Sequence, residues 1–189
     1  MKYVIEHLEP RLFKWCILEY KHISRMVGKN NLIFTNLKNS LQKNKLRKFG
    51  RTNLKKAEAL NIKNGILLDP GAENKLTYSD CKKYDYLIFG GILGDYPPRK
   101  RTKHAFEEIP ETWIRRNLGK IQMPTDTAVR VAHMIANGKK LSQIEFIDSP
   151  SLKMGKNEEV NLPYRYVADK DGSPIISKEI VEMIKKKGF

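Results

Sequence analysis

The chain has 189 residues and a mass of 21.9 kDa, and its 40% hydrophobic and 30% charged residues exclude a disordered tail or a fibrous protein. A formal net charge of +15 and a pI of about 9.8 favour a polyanionic partner, RNA or a ribonucleoprotein first of all. The alternative is a lysine-rich proteome, since 26 of the 36 basic residues are lysine and lysine enrichment is typical of thermophiles.

The first half of the chain alternates short apolar runs with one amphipathic segment. The runs predict strands at residues 3–5, 32–35, 66–68 and 86–89. After the first strand, apolar residues recur at helical spacing and predict a helix from about residue 12 to 27 that ends at Gly28. These apolar residues are Leu12, Cys16, Tyr20, Ile23 and Val27.

The second half continues the alternation. Thr125 is predicted to cap a helix whose inner face carries Ala128, Val131, Ala132 and Ile135. A strand is predicted at 144–147, and Ser177 is predicted to cap a last helix. Apolar strands alternating with helices predict one α/β domain over residues 1–189, with a mainly parallel sheet flanked by helices.

Basic residues are concentrated between residues 28 and 64. This segment holds ten lysines and arginines against one acid, Glu58, a local net charge of +9 in 37 residues. A second basic cluster spans residues 99–103 and includes Arg99 and Arg101. Both stretches line a groove for a polyanion if the fold brings them together; otherwise they are solvated faces.

Several classes of protein are not indicated. No apolar run approaches the roughly 18 to 20 residues of a membrane span, and residues 1–10 lack a secretion signal, so we expect a cytoplasmic protein. Cys16 and Cys81 are isolated from each other and from histidine pairs, which predicts buried thiols and no metal site.

The strongest local motif lies at residues 86–98, where an apolar strand runs into Gly90, Gly91 and Gly94. Ligands of parallel sheets bind at the carboxyl ends of strands, and glycines there let the backbone approach a ligand closely. Pro97 and Pro98 prevent an immediate helix, which argues against dinucleotide and Walker-type phosphate loops. A tight turn without a ligand fits this motif equally well.

A second motif, residues 116–129, is a polar loop that leads into a helix with small residues on its face. Such a face lets the helix lie close to another backbone. Asp126, in the first helical turn, is favoured there by the helix dipole whatever its function. A purely structural loop and helix is the alternative.

Taken together, residues 90–98 and 122–129 resemble a SPOUT-class methyltransferase family with archaeal and eukaryotic members. Residues 4–10, Trp15 with Glu19 and Tyr20, and residues 162–166 resemble the same family, so the similarity covers nearly the whole chain. Pro124 departs from the family pattern, in which a small hydroxyl residue is usual.

The resemblance implies a C-terminal trefoil knot, a feature that is very rare in proteins, and a site for S-adenosylmethionine. The cofactor is bound in a bent shape by loops at the carboxyl ends of the knot strands. On this sequence the expected cofactor-binding residues are Leu68, Asp69, Phe89, Gly90, Gly91, Ile92, Leu93, Gly94, Asn117, Leu118, Gly119, Ile121, Gln122, Met123, Thr127 and Ala128.

The acceptor of the methyl group stays open between RNA and an arginine of a ribosomal protein. The basic composition favours RNA, whereas the eukaryotic relatives that the chain resembles are arginine methyltransferases acting on a ribosomal protein. For an arginine acceptor, Asp95 is the expected catalytic carboxylate, with Asp126, Glu6 and Glu9 as alternatives; a loop-capping or ribose-binding role for Asp95 fits equally well.

Arg99 and Arg101 are expected to bind the substrate through phosphate contacts. A different class of function is a non-catalytic RNA-binding or ribosome-assembly protein with the same fold. Both a monomer and a homodimer are compatible with the sequence.

Overall fold

The computed structural model describes residues 1–93, 101–154 and 158–187, and its centre is a six-stranded sheet in the order β3-β2-β1-β5-β4-β6. Each of its neighbouring pairs is parallel, which confirms the predicted α/β class. The strands are β1 (Lys2–His7), β2 (Leu32–Thr35), β3 (Arg51–Thr52), β4 (Gly65–Leu68), β5 (Tyr86–Gly91), β6 (Trp113–Arg116), β7 (Phe146–Asp148), β8 (Ser151–Lys153), β9 (Glu159–Asn161) and β10 (Arg165–Val167). The α-helices are α1 (Lys14–Val27), α2 (Ser40–Leu46), α3 (Tyr78–Lys83), α4 (Arg101–Ala105), α5 (Thr125–Ala136) and α6 (Lys178–Lys187).

The main hydrophobic core lies between one face of the sheet and helices α1 and α5. Ile5 of β1, Tyr20 of α1 and Val131 of α5 are almost completely buried in it. The stripe predicted from apolar spacing is the buried face of α1, because all its members from Cys16 to Val27 belong to this core.

A second, smaller core covers the opposite face of the sheet. Val4, Leu67 and Ile88, which point away from α1, pack there with Phe106 and Trp113. Central strands are therefore buried on both faces, which explains their continuous apolar sequences.

The C-terminal region is built differently from the main sheet. Strand β7 pairs antiparallel with β10, and β8 pairs antiparallel with β9. Together with α6 these strands form a third core around Leu162, Tyr166 and Ile184, against which Trp15 and Leu18 of α1 pack. This core attaches the C-terminal region to the same helix that covers the sheet.

Three sequence predictions need correction. The strand predicted at 144–147 is β7, displaced to 146–148 and absent from the main sheet. The main sheet instead contains two strands that were not predicted, β3 with only two residues and β6, two of whose four residues are arginines. Thr125 is the first residue of α5 rather than its cap, and Pro124 occupies the cap position without a side-chain hydrogen bond.

Within the described ranges, the structure contains no helix that is both long and apolar enough to cross a membrane.

Candidate active site

A cavity of about 900 Å³ opens at the carboxyl ends of β4, β5 and β6. The first turn of α5 closes one side of it through Thr125 and Ala128. Its volume lies within the range of small-molecule sites. Apolar wall residues include Phe89, Leu118 and Met123.

Most of the expected cofactor-binding residues lie on the wall of this cavity. They are Leu68, Asp69, Phe89, Gly90, Ile92, Leu118, Gly119, Ile121, Gln122, Met123 and Ala128. Three segments far apart in sequence therefore meet at one edge of the sheet, as the parallel topology requires.

Four expected residues are not among the cavity-lining residues: Gly91, Leu93, Asn117 and Thr127. Gly94, Asp95 and Arg99 lie outside the described residues, so the expected catalytic carboxylate has no structural account here.

The two glycines that end β5 face opposite sides of the sheet. Gly90 lines the cavity, and a Cβ there would come within 3.1 Å of the Thr102 hydroxyl. Gly91 faces the main core instead, where a Cβ would overlap the Tyr20 hydroxyl and approach Ile5 to 2.8 Å. Because successive side chains of a strand alternate, Gly90 faces the cavity side of the sheet and Gly91 faces the main core.

Asp69 connects the loop after β4 to strand β6 at the cavity wall. Its Oδ1 accepts a hydrogen bond from the Gly71 backbone N–H at 2.9 Å, and its Oδ2 accepts one from Arg115 Nη1 at 3.0 Å. Arg115 also donates to the carbonyl of Phe106. Asp69 is only 6% exposed, which agrees with a structural role. It also lies on the cavity wall, where it can contact a ligand.

Asn117 acts behind the cavity wall rather than on it. Its side chain donates to the carbonyl of Ala72 at 2.8 Å and accepts from the Gly119 N–H at 2.9 Å. Gly119 has a φ of +108°, a conformation that favours glycine. Asn117 thereby fixes the turn that presents Leu118 and Gly119 to the cavity.

One carboxylate, that of Glu9, is bound to the guanidinium of a residue that lines the cavity. Glu9 Oε1 accepts hydrogen bonds from Arg101 Nη1 at 2.8 Å and from the Leu93 N–H at 3.0 Å. Arg101 lines the cavity, and its guanidinium also lies near the carbonyls of Leu8 and Leu93. Arg101 is thus engaged inside the protein, which does not support the expected phosphate contact.

The other two alternative carboxylates face away from the cavity. Glu6 is fully buried, and its Oε2 accepts from the Thr35 hydroxyl and from the Ala57 N–H at 2.9 and 2.6 Å. Burial raises the pKa of Glu6 above its ordinary value. Asp126 pairs with His22 Nδ1 at 2.7 Å. Like Glu9, neither is among the cavity-lining residues.

A buried acid also lies below the first turn of α5. Glu19 is 3% exposed, and its Oε1 accepts a hydrogen bond from the Trp15 indole at 3.2 Å. Burial, together with the nearby charge of Asp126, raises the pKa of Glu19 well above the ordinary value. Thr125 lies between Glu19 and the end of β5. Its backbone bonds to Glu19, and its hydroxyl lies 3.5 Å from the Ile92 carbonyl.

The sequence analysis missed several polar residues of the wall: Thr102, His104, Glu107, Arg115 and Lys120. Arg115 lies near the carboxyl end of β6, so it could have been predicted as a wall residue if β6 had been recognised as a parallel strand of the sheet. Thr102 and His104 of α4, and Glu107 just after it, belong to no local sequence motif that would have indicated a site. Among the described residues, no group of histidine, cysteine and acidic side chains is arranged to hold a metal ion.

Comparison with known proteins accounts for this arrangement. The model of the "Protein arginine N-methyltransferase SFM1-like" family matches residues 2–188. This chain belongs to that family. It is 42% identical to protein arginine N-methyltransferase SFM1 of Saccharomyces cerevisiae over 202 residues, which cover 98% of this chain and 95% of the yeast protein.

Solved structures agree with this membership. The yeast enzyme in complex with S-adenosylmethionine superposes with a TM-score of 0.90 at 40% identity, over 98% of this chain and 90% of the other. A dual-specific Trm10 from Thermococcus kodakaraensis shares the fold, with a TM-score of 0.59 at 19% identity over 76% of this chain and 96% of the other.

Membership in the SFM1-like family confirms three expectations. The SPOUT-like α/β fold, the S-adenosylmethionine-dependent methyltransferase class and the cofactor are those that the resemblance implied. The alternative of a non-catalytic RNA-binding protein is thereby excluded. The trefoil knot and the roles of individual site residues stay predictions.

Proposed function

We propose that this protein transfers the methyl group of S-adenosylmethionine to an arginine side chain of a ribosomal protein. The observation that carries the proposal is the Glu9 carboxylate, which binds the guanidinium of Arg101, a residue that lines the cavity. The arginine acceptor agrees with the family, and the ribosomal partner agrees with the net charge of +15.

The residues present fit the cofactor. Leu118, Met123 and Ala128 offer an apolar wall, and Gly90 brings the backbone of β5 to the cavity without a side chain of its own. Asp69 stands on the same wall with a carboxylate that suits hydroxyl groups. When bound, the cofactor supplies a sulfonium methyl that is already reactive, so the protein's task is mainly orientation.

An arginine acceptor needs a carboxylate, because a guanidinium stays protonated in water and is a poor nucleophile. Glu9 is 6% exposed and adjoins Leu93 of the cofactor loop, so it can hold and orient an incoming guanidinium. As a guanidinium nitrogen forms its bond to the methyl carbon, the sulfur–carbon bond breaks and the sulfur keeps the electron pair. The nitrogen then releases one proton, which a carboxylate accepts.

Asp95 remains the proposed second carboxylate, since it follows the glycine loop by one residue. Arg101 binds the Glu9 carboxylate in this structure. An acceptor arginine either displaces Arg101 or binds beside it, because a carboxylate has about four lone-pair sites. The proposal places the protein in the cytoplasm, where the free thiols of Cys16 and Cys81 suit reducing conditions.

The test is labelled-methyl transfer onto ribosomes from cells that lack the family's methyltransferase. After the reaction, separate samples are digested with nuclease and with protease, and the protein fraction is hydrolysed to amino acids. Label that resists nuclease, yields to protease and elutes as methylarginine is the expected result. Label in the nucleotide fraction, or in another amino acid, would overturn the arginine acceptor.

A further inference from the structure

Eight exposed basic side chains lie on the β2–α2–β3 unit and the segment after it, at one edge of the sheet, and we call them the basic face. They are Lys38, Lys43, Lys45, Arg47, Lys48, Arg51, Lys55 and Lys56. Between residues 38 and 56 the chain has no acidic residue. The concentration of charge seen in the sequence therefore persists as a concentration on the surface.

The fold assembles this face from the β2–α2–β3 unit. Strand β3 pairs in parallel with β2, and α2 connects them. After the strands, the Asn36 N–H donates to the Lys55 carbonyl at 2.8 Å, and the Leu37 N–H donates to the Asn53 carbonyl at 3.3 Å. These bonds hold the turn before Lys38 against the segment that carries Lys55 and Lys56.

Few acids lie near the charges of this face in the described part of the chain: Lys38 and Lys56 interact with Glu6, and Lys56 also with Glu58, but without an ion pair. No ion pair there involves any of the eight side chains, whereas Lys21, Arg115 and Arg165 elsewhere are each paired with an acid within 3.0 Å. Like charges placed together without partners repel one another, so such a face is held at a cost in stability. A bound polyanion removes that cost.

Protection of a sheet edge is the competing explanation, because charged residues keep edge strands from pairing with other chains. Strand β3 is the edge, but it has only two residues, and Arg51 by itself provides a charge there. The face also exposes two leucines, Leu41 at 71% and Leu54 at 47%. Edge protection does not explain either the other seven charges or the exposed apolar groups.

The face adjoins the site edge of the sheet. Lys38 and Lys56 both lie close enough to Glu6, at the carboxyl end of β1, to influence its carboxylate. In the sheet order, β3 is three strands from β5, which corresponds to about 14 Å at a strand spacing of about 4.8 Å. One ribonucleoprotein particle can therefore contact the basic face while a protein segment of it enters the cavity.

We propose that the basic face binds the phosphate backbone of RNA and anchors the enzyme to its substrate particle. Lysine and arginine side chains neutralise phosphates and release counterions, which gives affinity without sequence specificity. Leu41 and Leu54 contact exposed bases or sugars. This binding is independent of the methyl acceptor, so it can be tested without cofactor.

The probe is a fluorescein-labelled, unstructured RNA of about 20 nucleotides, titrated with the full-length protein between about 50 and 200 mM KCl. The variant Lys43→Gln/Lys45→Gln/Lys55→Gln/Lys56→Gln removes four charges from the face. A matched control, Lys83→Gln/Lys139→Gln/Lys178→Gln/Lys185→Gln, removes four charges from exposed lysines elsewhere. Circular dichroism and thermal unfolding establish that both variants fold.

The wild-type protein and the control are expected to bind with similar affinity and a steep salt dependence. If all four lysines contact phosphates, the face variant loses about 3 from the slope of log affinity against log salt, since each contact in single-stranded RNA contributes about 0.7. Its affinity at the lower salt concentration falls at least about tenfold. Methyl transfer to the isolated ribosomal protein should be unchanged in this variant, whereas transfer to ribosomes should slow.

Equal losses in the face variant and the control would overturn the proposal, because net charge alone would then explain binding. A face variant that binds RNA like wild type but loses affinity for RNA-free ribosomal protein would also overturn it, in favour of a protein partner. Failure of arginine methylation in the ribosome assay does not change these binding outcomes. The arginine acceptor and the RNA-binding face are therefore tested independently.

Discussion

Glu9 and Arg101, 92 residues apart in the chain, form an ion pair with 2.8 Å between Oε1 and Nη1, and Arg101 lines the cavity. The same oxygen accepts the Leu93 N–H, so a single carboxylate connects the N-terminal loop, the glycine loop and α4. Under the proposed function, this arrangement links recognition of the acceptor arginine to the shape of the glycine loop.

Replacing Glu9 with glutamine should reduce methyl transfer to arginine by about 10²-fold to 10⁴-fold, the usual effect of losing a group that assists proton transfer. Cofactor affinity should change by less than about tenfold, because the Gln oxygen can still accept the Leu93 N–H. Single-turnover transfer and calorimetric cofactor titration measure the two effects.

Glu108→Gln is the matched control, since Glu108 is exposed and lies outside the cavity wall. It should transfer at the wild-type rate. Wild-type transfer by Glu9→Gln would assign the role to another carboxylate, and Asp95→Asn is then the next variant to measure.

The two glycines of β5 should respond differently to alanine. Gly91→Ala forces a Cβ against Tyr20 and Ile5 in the main core and should lower the free energy of unfolding by about 1 to 3 kcal/mol. Gly90→Ala meets only side-chain atoms at 3.1 to 3.3 Å, so it should cost less stability but weaken cofactor binding from the cavity side. Urea denaturation and cofactor calorimetry on both variants check this reversal of effects. Equal stability of the two variants would contradict the assigned faces.

Glu19 should make stability fall as pH rises. Its raised folded-state pKa means that the native protein keeps a proton that the unfolded chain releases above its ordinary pKa of 4.5. The stability contribution is therefore present below that value and is lost as pH rises toward the folded pKa.

Glu19→Gln should accordingly differ little from wild type at about pH 4 and become more stable than wild type by about 1 to 3 kcal/mol at about pH 8. The measurement is the urea midpoint of both proteins across this range. A difference that does not change with pH would show that Glu19 is ionised in the folded protein.

Asp80 should have the opposite pH dependence. Burial acts to raise its pKa, but hydrogen bonds from Arg116 and Thr77 outweigh burial and lower the pKa below its ordinary value. The Arg116 contacts are 3.0 and 3.1 Å long and attach α3 to β6. The stability that Asp80 contributes is therefore present above its unfolded pKa and lost as pH falls through the folded pKa.

Asp80→Asn should cost about 1 kcal/mol at neutral pH, and the difference from wild type should shrink below about pH 3. Asp171→Asn, at an exposed turn, serves as the control and should have no effect at either pH. A constant deficit at both pH values would mean that the charge of Asp80 does not matter.

The sequence by itself predicted features that depend on local order. The apolar stripe of α1 and the central strands follow from side-chain periodicity, which short-range geometry dictates. The glycine loop at 90–94 and the loop before α5 could be placed at strand and helix ends, and parallel topology then brought Gly90 and Leu118 onto one cavity. The basic segment could be recognised because its charged residues lie close together in the chain.

Only the tertiary structure decided which of two adjacent residues of the chain faces the cavity. Gly90 and Gly91 are equivalent in sequence, but strand alternation puts one on the ligand side and the other against Tyr20. The Glu9–Arg101 pair and strand β6 depend on contacts between distant segments, whose closure is set by the packing of the whole sheet. Local propensity has no information about such contacts, because their free energy arises only after the sheet has formed.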